Sequence, residues 1–196
     1  MNYEAMKEEL SRRLQKKRYE HSLGVADTAA MLAERFGADV EKARVAGLLH
    51  DCAREYKTED LASEAARRSI DCGEIDRAMP LLLHAYVGAR RAQEVYGVTD
   101  PEILQAIWRH TVGGEHMTTL DKIVYFADMI EPQRDYPEVD ALRELSRTAS
   151  LDTMALAGLS QSILFVLQTG RLIHPATVAA RNELLLCARA KERRAP

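Results

Sequence analysis

The chain contains no run of about 18 apolar residues, the length at which a helix can cross a membrane. Its start, Met1-Asn2-Tyr3-Glu4, has no basic segment leading into an apolar one. Neither a membrane span nor a secretory leader is expected, and the cytoplasm is the expected location. Cysteine is scarce: Cys52, Cys72 and Cys187 are odd in number and form no C-x-x-C pair, which argues against a disulfide framework and against a zinc ribbon. Small core or surface residues are their expected role. An excess of positive charge is also missing, since 27 Lys and Arg face 30 Asp and Glu for a net charge of −3, so no general attraction to nucleic acid follows. Any anionic ligand must be held locally. Internal repeats, low-complexity tracts and convincing period-two alternation are absent too, which excludes repeat architectures and disfavours strands.

What is present is helical. With 46% hydrophobic and 29% charged residues in 196, the chain can bury one core, and an all-α fold is expected. Tyr3, Met6, Leu10 and Leu14 stand at helical spacing over 3–17. A second helix, about 18–36 with Gly37 as its stop, carries the stripe His21, Val25, Ala29, Leu32 and Phe36. Asp39 can cap a third helix that puts Val40, Ala43, Gly47 and His50 on one face, with Gly47 permitting close helix approach. Thr58-Glu59-Asp60 opens a short scaffold helix, and Asp71-Cys72-Gly73 reads as a loop. A further apolar helical run from Pro80 delivers His84 and stops at Gly97. Asp100-Pro101-Glu102 starts a helix whose stripe of Ile103, Ala106 and Ile107 ends in His110. Thr118 with Asp121 forms a capping box for a helix with Val124, Ala127 and Asp128 on its inner face. After a turn-rich loop over 131–137 come a short helix around Val139 to Leu145, a long apolar helix ending at Gly170, and a last helix from Pro175.

Four histidines and two aspartates, His21, His50, Asp51, His84, His110 and Asp128, thus recur at inner faces or ends of five helices. A single histidine on an apolar face is more often a satisfied core residue than a ligand. Four such coincidences are hard to sustain together, and imidazole with carboxylate but no thiolate is the donor set of iron, manganese, cobalt or zinc in a hydrolytic centre. His116, in a polar loop, and His174, before Pro175, fall outside that set.

The order His21, His50-Asp51, His84, His110 and Asp128 resembles the HD-domain metal-dependent phosphohydrolases. Arg18-Tyr19-Glu20-His21-Ser22, Gly47-Leu48-Leu49-His50-Asp51, Leu83-His84, Arg109-His110-Thr111-Val112-Gly113, Ala127-Asp128-Met129-Ile130-Glu131-Pro132 and Gly170-Arg171-Leu172-Ile173-His174-Pro175 resemble, within that superfamily, the YqeK-type symmetrical bis(5'-nucleosyl)-tetraphosphatases, over about residues 3 to 187. Arg54 departs from the Lys more usual there.

The resemblance implies a single HD-type helical bundle over 1–196, with a metal core at about 18–131 and C-terminal helices at about 138–193 completing a nucleotide site. It implies that His21, His50, Asp51 and Asp128 hold iron, with manganese or cobalt as alternatives, and that His84 and His110 face the substrate phosphates or hold a second metal. Asp51, His84 and His110 are the implied catalytic residues, with His84 or His110 as a donor of a proton to the leaving oxygen. Substrate contacts are implied for His21, Arg54, His84, His110, Arg134 and the stretch Gly170, Arg171, Leu172, Ile173, His174, Pro175. The implied reaction is attack by metal-activated hydroxide on phosphorus, splitting diadenosine tetraphosphate into two ADP. The expected partner is a small nucleotide, with no nucleic acid or membrane and with a homodimer as the candidate assembly. The rival readings are another HD-type nucleotide phosphohydrolase or cyclic-dinucleotide phosphodiesterase, and a nucleotide-sensing module that does not turn its ligand over.

Overall fold

The computed structural model describes residues 1–193, which form eleven α-helices and no strand. Two helices open the chain: α1 (Tyr3–Arg13) and α2 (Lys16–Phe36). The expected first helix stops four residues early because Leu14 turns to an extended conformation and buries its side chain in the core, so α2 starts at Lys16. Gly37 closes α2 in the left-handed conformation, at φ 67°, and Asp39 caps α3 (Val40–Leu49) by accepting from the Lys42 N–H. A 3-10 turn over Cys52–Glu55 follows directly, so the chain changes direction at His50 and Asp51.

The scaffold region is more broken than one short helix. Thr58–Asp60 is a 3-10 turn, α4 is Leu61–Arg67, and the expected loop over Asp71-Cys72-Gly73 leads into a short α5 (Glu74–Ala78). Then come α6 (Leu83–Glu94) and α7 (Pro101–Arg109), the latter capped by Asp100 with Pro101 in its first turn. Helix α8 (Thr119–Ile130) opens with the expected Thr118–Asp121 capping box. The last three are α9 (Val139–Thr148), α10 (Leu151–Gln168) and α11 (Pro175–Glu192).

Helix α2 packs on α3 and α8, and α7 packs on α6, α8 and α3, around Val25, Leu32, Leu48, Ile107 and Phe126. At Gly47 an added Cβ would lie 2.9 Å from the Ala26 Cα, so glycine is what lets α3 press against α2 and bring His50 beside His21. Helices α10 and α11 cover the far side of α8 through Ala155, Leu159, Ala180 and Leu184. Helix α10 is long and apolar enough to cross a membrane by those measures alone, at mean hydropathy 1.3, although its Met154, Ala155, Gly158 and Leu159 are buried within this fold. The three cysteines are free, with Cys52 buried and Cys187 exposed.

Candidate metal centre and its flanking clefts

The six His and Asp residues singled out in the sequence meet where the ends of α3 and α7, the start of α6 and the inner faces of α2 and α8 converge. The four imidazoles form a row in the order His21, His50, His110, His84, with successive ring centroids 5.1, 4.9 and 5.0 Å apart. Asp51 lies beside the whole row. Its Oδ2 is 3.5 Å from His50 Nε2 and 3.8 Å from His21 Nε2, while its Oδ1 is 3.2 Å from His84 Nε2 and 3.8 Å from His110 Nε2. Asp128 closes the first end, with Oδ1 3.0 Å from His21 Nε2 and 3.7 Å from His50 Nε2.

Tautomers decide what this cluster can do. His50 Nδ1 bonds the Gly47 carbonyl at 2.7 Å, His110 Nδ1 bonds the Ile107 carbonyl at 2.7 Å, and His84 Nδ1 bonds the Leu81 carbonyl. A carbonyl only accepts, so each Nδ1 carries the hydrogen. His21 Nδ1 likewise donates to the Glu131 carboxylate at 3.0 Å. Every neutral ring therefore turns a bare Nε2 inward. His21 and His50 Nε2 are 3.2 Å apart, and His84 and His110 Nε2 are 3.1 Å apart. Lone pairs facing lone pairs and carboxylate oxygens at these separations repel unless a cation lies among them, so the donor set fits a metal. His21, His50 and Asp51 make one group of converging ligand atoms, and Asp51, His84 and His110 make a second.

Ionisation follows the same geometry. Burial opposes charge on Asp51, but the adjoining His50 and then His84 hold its carboxyl well below the usual carboxylate range. Burial likewise works against Asp128, and His21 beside it, with Arg134 and His50, overcomes it, again holding the carboxyl low. His50 is pushed up despite its burial, by Asp51 and then Asp128, whereas burial and the neighbouring His50 and His84 take His110 down to about 3.

Three further residues complete the cluster and were not picked out from the sequence as site residues. Glu131, 1% exposed, orients His21, and Gly24 leaves room for it, since a Cβ there would lie 2.5 Å from Glu131 Oε2. Arg18 Nη1 donates to Asp51 Oδ2 at 2.7 Å. The Thr111 hydroxyl sits 3.0 Å from His110 Nε2 and 3.3 Å from His84 Nε2. Arg143, from α9, donates to the carbonyls of Ile130, Glu131 and Arg134 and so pins the loop that carries Glu131.

The remaining expected contact residues fall around this centre. Arg134 is tied to Asp128, through its carboxylate and, at 2.6 Å, through its carbonyl. Arg54 is half-buried, and burial lowers its pKa while the Asp51 charge opposes the fall. Gly170 takes the left-handed conformation at φ 65°. Arg171, Leu172, Ile173 and His174 line an apolar cleft of about 210 Å³ with Leu81, Leu82, Ile163, Phe165 and Thr111. Thr111 thus joins that cleft to the His84 end of the row. The His174 ring is committed inside the protein: Nδ1 caps α11 by accepting from the Ala176 N–H at 3.1 Å, and Nε2 lies 3.4 Å from Asp76 Oδ1. Pro175 is the first residue of α11. At the opposite end of the row a polar cleft of about 560 Å³ opens beside His21, lined by Lys17, Arg18, Gln133 and Arg134 among others. His116 stands apart on the surface, with Nδ1 2.7 Å from Glu183 Oε1.

Residues 18–133 match the model of the HD domain. The symmetrical bis(5'-nucleosyl)-tetraphosphatase of Bacillus subtilis is 38% identical over 185 residues, covering 94% of this chain and 98% of that protein. The protein of the same description in Staphylococcus aureus is 35% identical, covering 93% and 94%. A crystal structure from Clostridium acetobutylicum, described as a predicted HD superfamily hydrolase involved in NAD metabolism, superposes with a TM-score of 0.90 at 39% identity, covering 94% of this chain and 97% of that one.

Proposed function

This chain belongs to the HD domain family, and from that premise we propose that it is a metal-dependent symmetrical bis(5'-nucleosyl)-tetraphosphatase, cutting diadenosine tetraphosphate into two ADP. The near full-length similarity to two bacterial enzymes of that description supports the substrate class. The observation that carries the reading is the convergence of four bare imidazole nitrogens on the two oxygens of Asp51 and on Asp128.

His21, His50, Asp51 and Asp128 would hold the metal, iron by family resemblance, while His84 and His110 with Asp51 Oδ1 form a second donor group for another cation or for a substrate phosphate. When bound, such a cation lowers the pKa of water and neutralises charge developing on phosphorus. The chain's own residues set the rest. Glu131 keeps His21 in the tautomer with Nε2 bare. His110 donates through Nδ1 to the Ile107 carbonyl, so its neutral ring presents Nε2 as an acceptor. Arg54 and Arg171 are the cations proposed for the phosphates, with Arg134 once its carboxylate partner is neutralised. The 170–175 stretch and helices α10 and α11 complete the nucleoside pocket, whose apolar lining suits a base. His174 serves here by fixing the loop, because both of its ring nitrogens face protein groups. In the reaction one water oxygen joins one phosphorus, the central bridging P–O bond breaks, and each half leaves as a nucleoside diphosphate.

The test is to incubate metal-loaded protein with a panel of dinucleoside polyphosphates and mononucleotides and identify products by chromatography. Two ADP from diadenosine tetraphosphate are expected. Preferential turnover of mononucleotides or cyclic dinucleotides would move the chain to another HD-type activity, and binding without turnover would make it a sensor.

A further inference from the structure

The histidine row has two ends, and the chemistry of the space at each end differs. The His84 end opens on the small apolar cleft, whereas the His21 end opens on a polar cleft between the start of α2 and the loop after α8, about 560 Å³ in volume. That cleft sets two guanidinium groups near the row, with the carboxylates of Glu131 and Asp135 also in its lining. Arg18 and Arg134 stand at its inner wall, each bonded to a carboxylate of the cluster, and Lys17 lies further out with no ion-pair partner among the described residues. Gln15, which caps α2 without a side-chain hydrogen bond, and the exposed Gln133 add amide donors and acceptors, and Tyr136 adds a ring face.

We propose that this polar cleft is the second half-site of the enzyme, receiving the nucleoside diphosphate on the far side of the scissile bond. The inference rests on the reading of the chain as a symmetrical tetraphosphatase. A substrate with a nucleoside at each end of four phosphates needs an anion-binding middle flanked by two pockets. The apolar cleft supplies only one of them. In the protein as described, Arg18 holds Asp51 Oδ2 and Arg134 holds Asp128 Oδ1, the same oxygens that face the bare Nε2 atoms of His50 and His21. A cation taken up by those oxygens leaves the two guanidinium groups to the cleft, where planar donors match phosphate oxygens. Lys17 then meets the outer phosphate as a point charge, and Gln15, Gln133 and Tyr136 line the room left for ribose and base. The lining mixes charged and polar groups with apolar surface and is solvent-open, so this half-site binds largely through charge and hydrogen bonds and tolerates a range of bases.

The test uses the metal-loaded protein with Lys17→Ala and with the double change Lys17→Ala and Gln15→Ala, both at exposed side chains outside the cluster. Equilibrium dialysis against ADP should find two ADP per wild-type chain and one in the double variant. KM for diadenosine tetraphosphate should rise about tenfold in Lys17→Ala, the worth of one hydrogen bond to a charged group, while kcat and metal content stay at wild-type values. A single ADP per wild-type chain, or an unchanged KM in both variants with wild-type melting curves, would overturn the second half-site. If instead the wild type releases AMP and ATP, the reading beneath it has failed, and the two failures are thereby told apart.

Discussion

Replacing Glu131 by Gln changes one atom in a side chain that never touches the substrate in this account, yet it should loosen the metal. The carboxylate uses both oxygens as acceptors, Oε1 for the His21 Nδ1–H at 3.0 Å and Oε2 for the backbone N–H of Gln133 at 2.8 Å. An amide accepts at one end only. With its oxygen toward His21, its NH2 meets the Gln133 N–H, donor against donor, at a cost of about 1–3 kcal/mol for the buried group left unpaired. Flipped, the NH2 faces Nδ1 and drives the ring proton to Nε2, the atom aimed at Asp128 and His50. Loss of such an orienting partner typically weakens metal binding about 10–100-fold, or about 1.4–2.7 kcal/mol. Competition with a chelator of known affinity measures this, and circular dichroism checks that the helices persist. Wild-type metal affinity in a folded Glu131→Gln protein would refute the tautomer argument.

Gly24→Ala should act on the same carboxylate from the other side, since the added Cβ would lie 2.5 Å from Glu131 Oε2; metal affinity is expected to fall with little change in overall helicity. Asp51→Ala removes the one residue shared by both ligand groups, so mass spectrometry should find the metal content abolished, and stoichiometric metal in the variant would contradict its role. Arg171→Ala, at an exposed position of the apolar cleft, should lower kcat/KM while leaving metal content unchanged, and unaltered kinetics would take Arg171 out of the site. In chelator-treated protein, His110 has a folded pKa of about 3 against an ordinary 6.5, so the unfolded chain binds the extra proton first and stability should be lost as pH falls from 6.5 towards 3. Melting curves of wild type and His110→Gln should diverge in that window, and parallel curves would show that His110 is not the group responsible.

Much of the fold could be read from local signals, because caps and stops act within a few residues. Asp39, Asp100, Thr118 and Gly37 each start or end a helix where their chemistry requires. Leu14 and the 3-10 turn after Asp51 could not be read this way, since burial against distant helices, not local propensity, sets the break. The six converging residues were legible as apolar-stripe histidines and aspartates. Their supporting partners were not: Glu131 stands 110 residues from His21, and Arg18 stands 33 from Asp51, distances that no periodicity spans. Glu131 stood in the Ala127-to-Pro132 motif and Gly24 leaves room for it, but neither says which ring that carboxylate orients, and Gly24 is indistinguishable in sequence from a tolerated mid-helix glycine. That Arg134 is engaged with Asp128, and that His174 spends both nitrogens on the protein, likewise emerge only from the folded chain.

The central claim is that one phosphorus in the middle of the tetraphosphate is attacked by one water. Turnover of diadenosine tetraphosphate in heavy-oxygen water, followed by mass spectrometry of the products, addresses it directly. The account predicts ADP as the sole nucleotide product, with label in one of the two ADP molecules from each turnover. Label in AMP or in ATP would contradict it.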